Sequence, residues 1–187
     1  MFPSTSLLAT CILALSTFVA ATPSPRQPQC NPDFEGAPVT ITIGNRGVKV
    51  APPRAGQLLV ATVPITPGQG SGNFVVTQTS PRASTYLINE VKFTDLVIDV
   101  TDAGLLDLEE RGPSPTQVWE ITCDECRPGA STTPGGGKWG SGCSIASAQT
   151  GQCVHIQPSG NPLINFGVGE CADTADQSFD FWTKTDV

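Results

Sequence analysis

Cysteine is the residue type in this chain with the most chemistry on offer. Seven are present. Cys11 falls in an apolar leader, leaving Cys30, Cys123, Cys126, Cys143, Cys153 and Cys171. The spacing Cys123-Asp-Glu-Cys126 could serve a zinc knuckle or a thioredoxin-like redox pair. Zinc wants a second close pair of Cys or His ligands, and Cys143 and Cys153 are not at that spacing. The redox reading wants a strand–helix–strand setting, and none is visible. An even count behind a secretory leader points instead to structural disulfides. Neither a metal nor a cofactor is expected.

Other catalytic constellations are thin. His155 is the only histidine. A single imidazole lacks the partners that a ligand or a base would need, so it reads as a half-exposed strand residue. No Gly-x-Ser-x-Gly elbow accompanies it. A glycosidase needs two carboxyls about 5–10 Å apart across a cleft. Glu109-Glu110 and Asp124-Glu125 are the acidic pairs at hand, but neighbours on a strand point to opposite faces. No phosphate loop or dinucleotide fingerprint occurs. No catalytic residue is assigned and no enzyme is expected. Trp139, within Gly135-Gly136-Gly137-Lys138-Trp139-Gly140, reads as a loop aromatic. It would serve either as a sugar platform or as a cover for the disulfide region.

These residues must be positioned by short strands. The mean hydropathy of −0.02 and the scattered 19 Gly and 17 Pro leave no long helical period. Runs such as Val39-Thr40-Ile41-Thr42-Ile43, Leu96-Val97-Ile98-Asp99-Val100 and Val118-Trp119-Glu120-Ile121 are β-branched and bounded by turn formers. Many such runs mean an all-β sandwich or barrel. Residues 66–72 and 128–142 read as surface loops. The chain divides into a signal peptide over 1–21, a Pro-rich arm over 22–33 and one domain over 34–187. The apolar run 7–21 is shorter than the roughly 20 residues that span a bilayer and ends in Thr22-Pro23-Ser24-Pro25. The protein is therefore expected to be secreted and extracellular. A net charge of −7 makes it a poor partner for nucleic acid or an anionic membrane surface.

An internal repeat narrows the architecture. Gln117-Val118-Trp119-Glu120-Ile121 and Gln177-Ser178-Phe179-Asp180-Phe181 are both Gln-x-aromatic-x-apolar. Each follows a strand, a glycine turn and an apolar pair: Ile98-Asp99-Val100, Gly104 and Leu105-Leu106 in one, Val154-His155-Ile156, Gly160 and Leu163-Ile164 in the other. A degraded third copy runs from Val48-Lys49-Val50 through Gly56 and Leu58-Leu59 to Phe74-Val75-Val76. The aromatic should fill the core, and the Gln amide should bridge buried backbone groups.

Gln-x-aromatic in two copies, with a third copy that has no Gln two residues before Phe74, resembles the three-fold Gln-x-Trp repeat of the ricin-B-type lectins. That resemblance implies a β-trefoil of three pseudo-repeats with Phe74, Trp119 and Phe179 at equivalent core positions. Gly151-Gln152-Cys153-Val154-His155-Ile156 is similar to that family's Cys-apolar-Asp-apolar strand, which implies a Cys153–Cys171 disulfide. Cys143 is then expected to pair with Cys123 or Cys126, and Cys30 with the one remaining. The stretch Cys30-Asn31-Pro32-Asp33-Phe34-Glu35-Gly36 behind a leader also resembles small secreted proteins of mushroom-forming fungi.

By the same resemblance, a sugar site takes a carboxylate, a stacking aromatic and an amide from one repeat. Asp99 matches the carboxylate in the second repeat, but the stacking position falls near Leu108 or Glu109 and the amide position on Thr116. His155 and Lys49 stand at the carboxylate place in the third and first repeats. Gly169 or Phe166 holds the third repeat's stacking region, and Asp176 its amide position. The candidate carbohydrate-binding residues are accordingly Asp99, Gln117 and Trp139. Two function classes follow: a secreted carbohydrate-binding protein with a degenerate or displaced site, or a secreted β-trefoil protease inhibitor or interaction protein. The partner would be a glycan or an extracellular protein. For an inhibitor, the inserted loop would be 66–72 or 128–142.

Overall fold

A computed structural model describes residues 29–34, 36–64, 74–80, 83–130, 132, 136–157 and 164–183. The leader, residues 22–28 of the Pro-rich arm, the 66–72 loop and the Gly160 turn lie outside them. Three four-part units follow one another. The first is β1 (Pro38–Ile43), β2 (Arg46–Lys49), a third strand broken into β3 (Gln57–Leu58) and β4 (Val60–Pro64), and β5 (Phe74–Gln78). The second is β6 (Thr85–Glu90), β7 (Leu96–Val100), β8 (Leu106–Glu110) and β9 (Trp119–Thr122), followed by the short β10 (Glu125–Cys126). The third is β11 (Gly137–Ser147), β12 (Cys153–Gln157), β13 (Ile164–Gly169) and β14 (Phe179–Thr183). One 3-10 turn, Pro115–Gln117, precedes β9, and another, Ala175–Gln177, precedes β14.

The outer strands of the units close a ring. Antiparallel pairing runs β1–β5–β6–β9–β11–β14 and back to β1. A closed barrel leaves no sheet edge to aggregate. The inner strands form the hairpins β2–β4, β7–β8 and β12–β13. These hairpins meet one another through β4–β13, β3–β8 and the Leu105–Gly167 bridge.

The three motif aromatics occupy equivalent places, as the repeat predicts. Phe74, Trp119 and Phe179 each open the last strand of their unit. Each pairs with the final residue of the next unit's first strand: Glu90, Ser147 and Ile43 respectively. All three are buried, and burial of such a side chain contributes about 2–3 kcal/mol. The indole Nε1–H of Trp119 donates to Ile98 O at 3.2 Å, so its one polar atom is satisfied. The matching triads Ile41, Ile88 and Ile145, and Val48, Ile98 and Val154, close around an apolar void of only about 20 Å³.

The disulfides are Cys30–Cys126, Cys123–Cys143 and Cys153–Cys171. All six fall within the pairings expected, and they fit an oxidising compartment. Cys30 also exchanges backbone hydrogen bonds with Cys123. Behind it, Asn31 Nδ2 donates to Ile121 O, and Tyr86 Oη–H donates to Pro32 O. Phe34 is buried, its ring 5.0 Å from that of Phe181. Residues 30–34 are thus strapped onto the barrel. Among the described residues, no helix is long and apolar enough to cross a membrane.

One loop expectation is corrected. Within 128–142, residues from Gly137 onward belong to the eleven-residue strand β11. Its Gly-rich start has low strand propensity, but β14 and β10 flank it and supply ladder partners on both sides. Register shifts at Gly140 accommodate the irregular sequence.

Candidate functional site

The second-unit hairpin carries Asp99 on β7, directly opposite Asp107 on β8. Asp99 is only 8% exposed. Its Oδ1 accepts from Val100 N–H at 2.6 Å and its Oδ2 from Gln117 Nε2–H at 3.0 Å. Gln117 reaches it from the 3-10 turn. The same amide donates to Glu110 O, and its Oε1 accepts from Gly112 N–H at 2.9 Å. Gln117 is therefore buried and spent on holding the backbone, which is the bridging role expected of the motif. Gln177 repeats it: Nε2–H donates to Glu170 O at 2.8 Å, and Oε1 accepts from Ala172 N–H at 2.6 Å.

Asp107 is 6% exposed, and its Oδ1 has no hydrogen-bond partner. Burial pushes its carboxyl up to about 6, and the charges of Glu109 and Asp99 push the same way. The sequence reading did not single out Asp107. Its opposition to Asp99 depends on the hairpin register, which is set by the turn at Gly104.

Trp139 requires a correction. It is a strand residue of β11, 5% exposed, and not a platform on an open loop. It lines a small hollow with Glu125, Arg127 and Lys138. β11 packs against β9, β10, β12 and β14, so the structure does not bring Trp139 to the Asp99 hairpin. Of the other stacking candidates, Leu108 and Phe166 are core residues. Gly169 lies under the ring of His155.

A wider concavity lies elsewhere. A groove of about 500 Å³ opens between residues 172–178 and the neighbouring ends of β9 and β11. It is lined by the carboxylates of Asp124 and Asp173, the hydroxyls of Thr122, Ser144, Thr174 and Ser178, and the amide of Gln29. Among the described residues, no cationic side chain lines it. Gly142 forms part of the wall, and a side chain there would strike the Asp124 carboxylate. Small and polar residues scattered from Gln29 to Ser178 leave no periodic trace, so sequence reasoning missed this groove. Among the described residues, no group of three or more His, Cys, Asp or Glu is placed to hold a metal ion.

No protein-family model matches the sequence, and no curated protein matches it. Solved structures do. The BEL beta-trefoil superposes with a TM-score of 0.53 at 12% identity, over 82% of this chain and 97% of that one. The fold is a β-trefoil. A Polyporus squamosus lectin, solved bound to the epitope Neu5Aca2-6Galb1-4GlcNAc, matches with a TM-score of 0.54 at 12% identity, over 80% of this chain and 50% of that one. A mosquitocidal holotoxin matches with a TM-score of 0.57 at 11% identity. The chain covers only 17% of the holotoxin's length. The β-trefoil neighbours thus include lectins and toxins, and likeness at this identity speaks for fold rather than activity.

Proposed function

We propose that this chain is an extracellular, non-catalytic glycan-binding protein whose site is the groove between residues 172–178 and β9–β11. The observation that supports the reading is the lining of that groove. Hydroxyls and two carboxylates around about 500 Å³ match the alternating donors and acceptors of a sugar. The three disulfides fit an extracellular setting. The family-type position at Asp99 is less suited, because both of its oxygens already accept hydrogen bonds below the surface.

The lining also selects among sugars. Two carboxylate residues, with no cationic one among the described lining residues, disfavour an acidic sugar, such as the sialic acid of the epitope on the Polyporus lectin. Neutral or amino sugars suit it better. With no aromatic wall, affinity rests on hydrogen bonds, and a monosaccharide should bind at about 1 mM.

A glycan array, followed by titration calorimetry, tests the reading. Wild type should retain neutral or amino glycans. Asp173→Asn should weaken them roughly tenfold, the loss of one charge-assisted hydrogen bond, while Asp99→Asn leaves them unchanged. Loss on Asp99→Asn alone would move the site to the β7–β8 hairpin. No retained glycan, together with inhibition in a parallel protease panel, would replace the glycan reading with that of an inhibitor.

A further inference from the structure

The β7–β8 hairpin presents a feature that sugar binding in the groove does not use. Asp99 and Asp107 are directly opposed across the two strands. Opposed side chains of this kind start about 5 Å apart at Cβ. Both residues are less than a tenth exposed, and Asp107 Oδ1 has no partner. Two like charges so placed weaken the strand pair. A buried carboxylate oxygen without a donor weakens it further.

Among the described residues, the strands and turn packed against the hairpin carry no cationic side chain to relieve this. Glu109 adds a third negative charge from β8 itself. β3 contributes Gln57 and Leu58, and β13 carries no titratable side chain. The turn Pro115–Gln117 supplies only the Gln117 amide, which donates to Asp99. β6 carries Tyr86 and Glu90. Their polar atoms bond Pro32 O and the backbone N–H groups of Lys92 and Phe93.

We infer that Asp107 takes up a proton in mildly acid surroundings, which removes its repulsion with Asp99, so that the opposed pair acts as an acid-tightened clasp on the β7–β8 hairpin. With Asp107 neutral, the opposed pair no longer carries two like charges, and the buried carboxyl no longer leaves an ionised oxygen without a donor. The sign follows from linkage. The Asp107 carboxyl is pushed up to about 6, so the folded hairpin holds its proton more tightly than the unfolded chain does. Hairpin stability therefore rises as pH falls from neutral through about 6, and levels off below the ordinary carboxylate range. Because Gln117 joins Asp99 to Glu110 O and Gly112 N–H, loosening at higher pH reaches the loop that leads into β9.

The test is a carboxyl-carbon NMR titration with amide hydrogen exchange on the full secreted chain. Asp107 should titrate near pH 6, and protection factors of the β7–β8 amides should rise about tenfold from about pH 7.5 to about pH 5. Asp107→Asn should abolish that rise, and Glu109→Gln should keep it with a lower midpoint. Titration of Asp107 in the ordinary carboxylate range would overturn the inference. So would protection that does not change with pH, or a full rise persisting in Asp107→Asn. Should Asp107→Asn fail to fold, the wild-type titration and exchange decide alone.

Discussion

The β7–β8 and β12–β13 hairpins are built on one plan and finished differently. Each is followed by a Gln whose amide bridges the backbone five and seven residues upstream. Each leads into a buried aromatic. On the strand face opposite Ile98 and Val154, however, the second unit sets the buried Asp99 against the buried Asp107, whereas the third sets His155 against Gly167. The second unit is tied by polar contacts from Gln117. The third is closed by the Cys153–Cys171 disulfide. The plan common to both belongs to the barrel; these opposite faces are free to differ because little else in the core depends on them.

Removing the staple should separate the two most. Cys153→Ser with Cys171→Ser should lower unfolding stability by about 3 kcal/mol, as loop-closure entropy for such a separation implies. Urea unfolding measures this, and β12–β13 should lose exchange protection before β7–β8 does. Copying one face onto the other should also fail. A Cβ at Gly167 would lie 2.7 Å from Gly104 O, a backbone atom of the second unit. Gly167→Ala should therefore cost about 2 kcal/mol, and Gly167→Asp at least as much, in the same assay. The two bridging amides differ least. Gln117→Leu should cost about 2 kcal/mol and Gln177→Leu about 1 kcal/mol, because only Gln117 also serves a carboxylate. Equal costs would mean that the Asp99 bond adds nothing.

The likeness between these units was legible in the sequence, and their differences were legible only in part. β7 was readable to its ends from Leu96-Val97-Ile98-Asp99-Val100, since β-branched residues between turn formers leave little else to form. The same holds for the place of Phe74, Trp119 and Phe179, and for the Gln bridges. β11 was not readable through Gly137-Lys138-Trp139-Gly140, because its strand character comes from neighbours remote in sequence. That error put Trp139 on a loop, and left its role open between a sugar platform and a cover for the disulfide region. The Asp99–Asp107 opposition and the groove share this origin: both are set by register and packing, and neither leaves a local pattern.

The strap from Cys30 to Phe34 has a mechanical consequence. Cys30 is covalently joined to Cys126, 96 residues further along the chain. Tension applied through residues ahead of Cys30 enters the barrel beside β10 as well as at β1. It cannot peel β1 from β5 and β14 one hydrogen bond at a time without also loading the Cys126 anchor. A tether on this side would be held by a covalent bolt, with the force divided between the first unit and the end of the second.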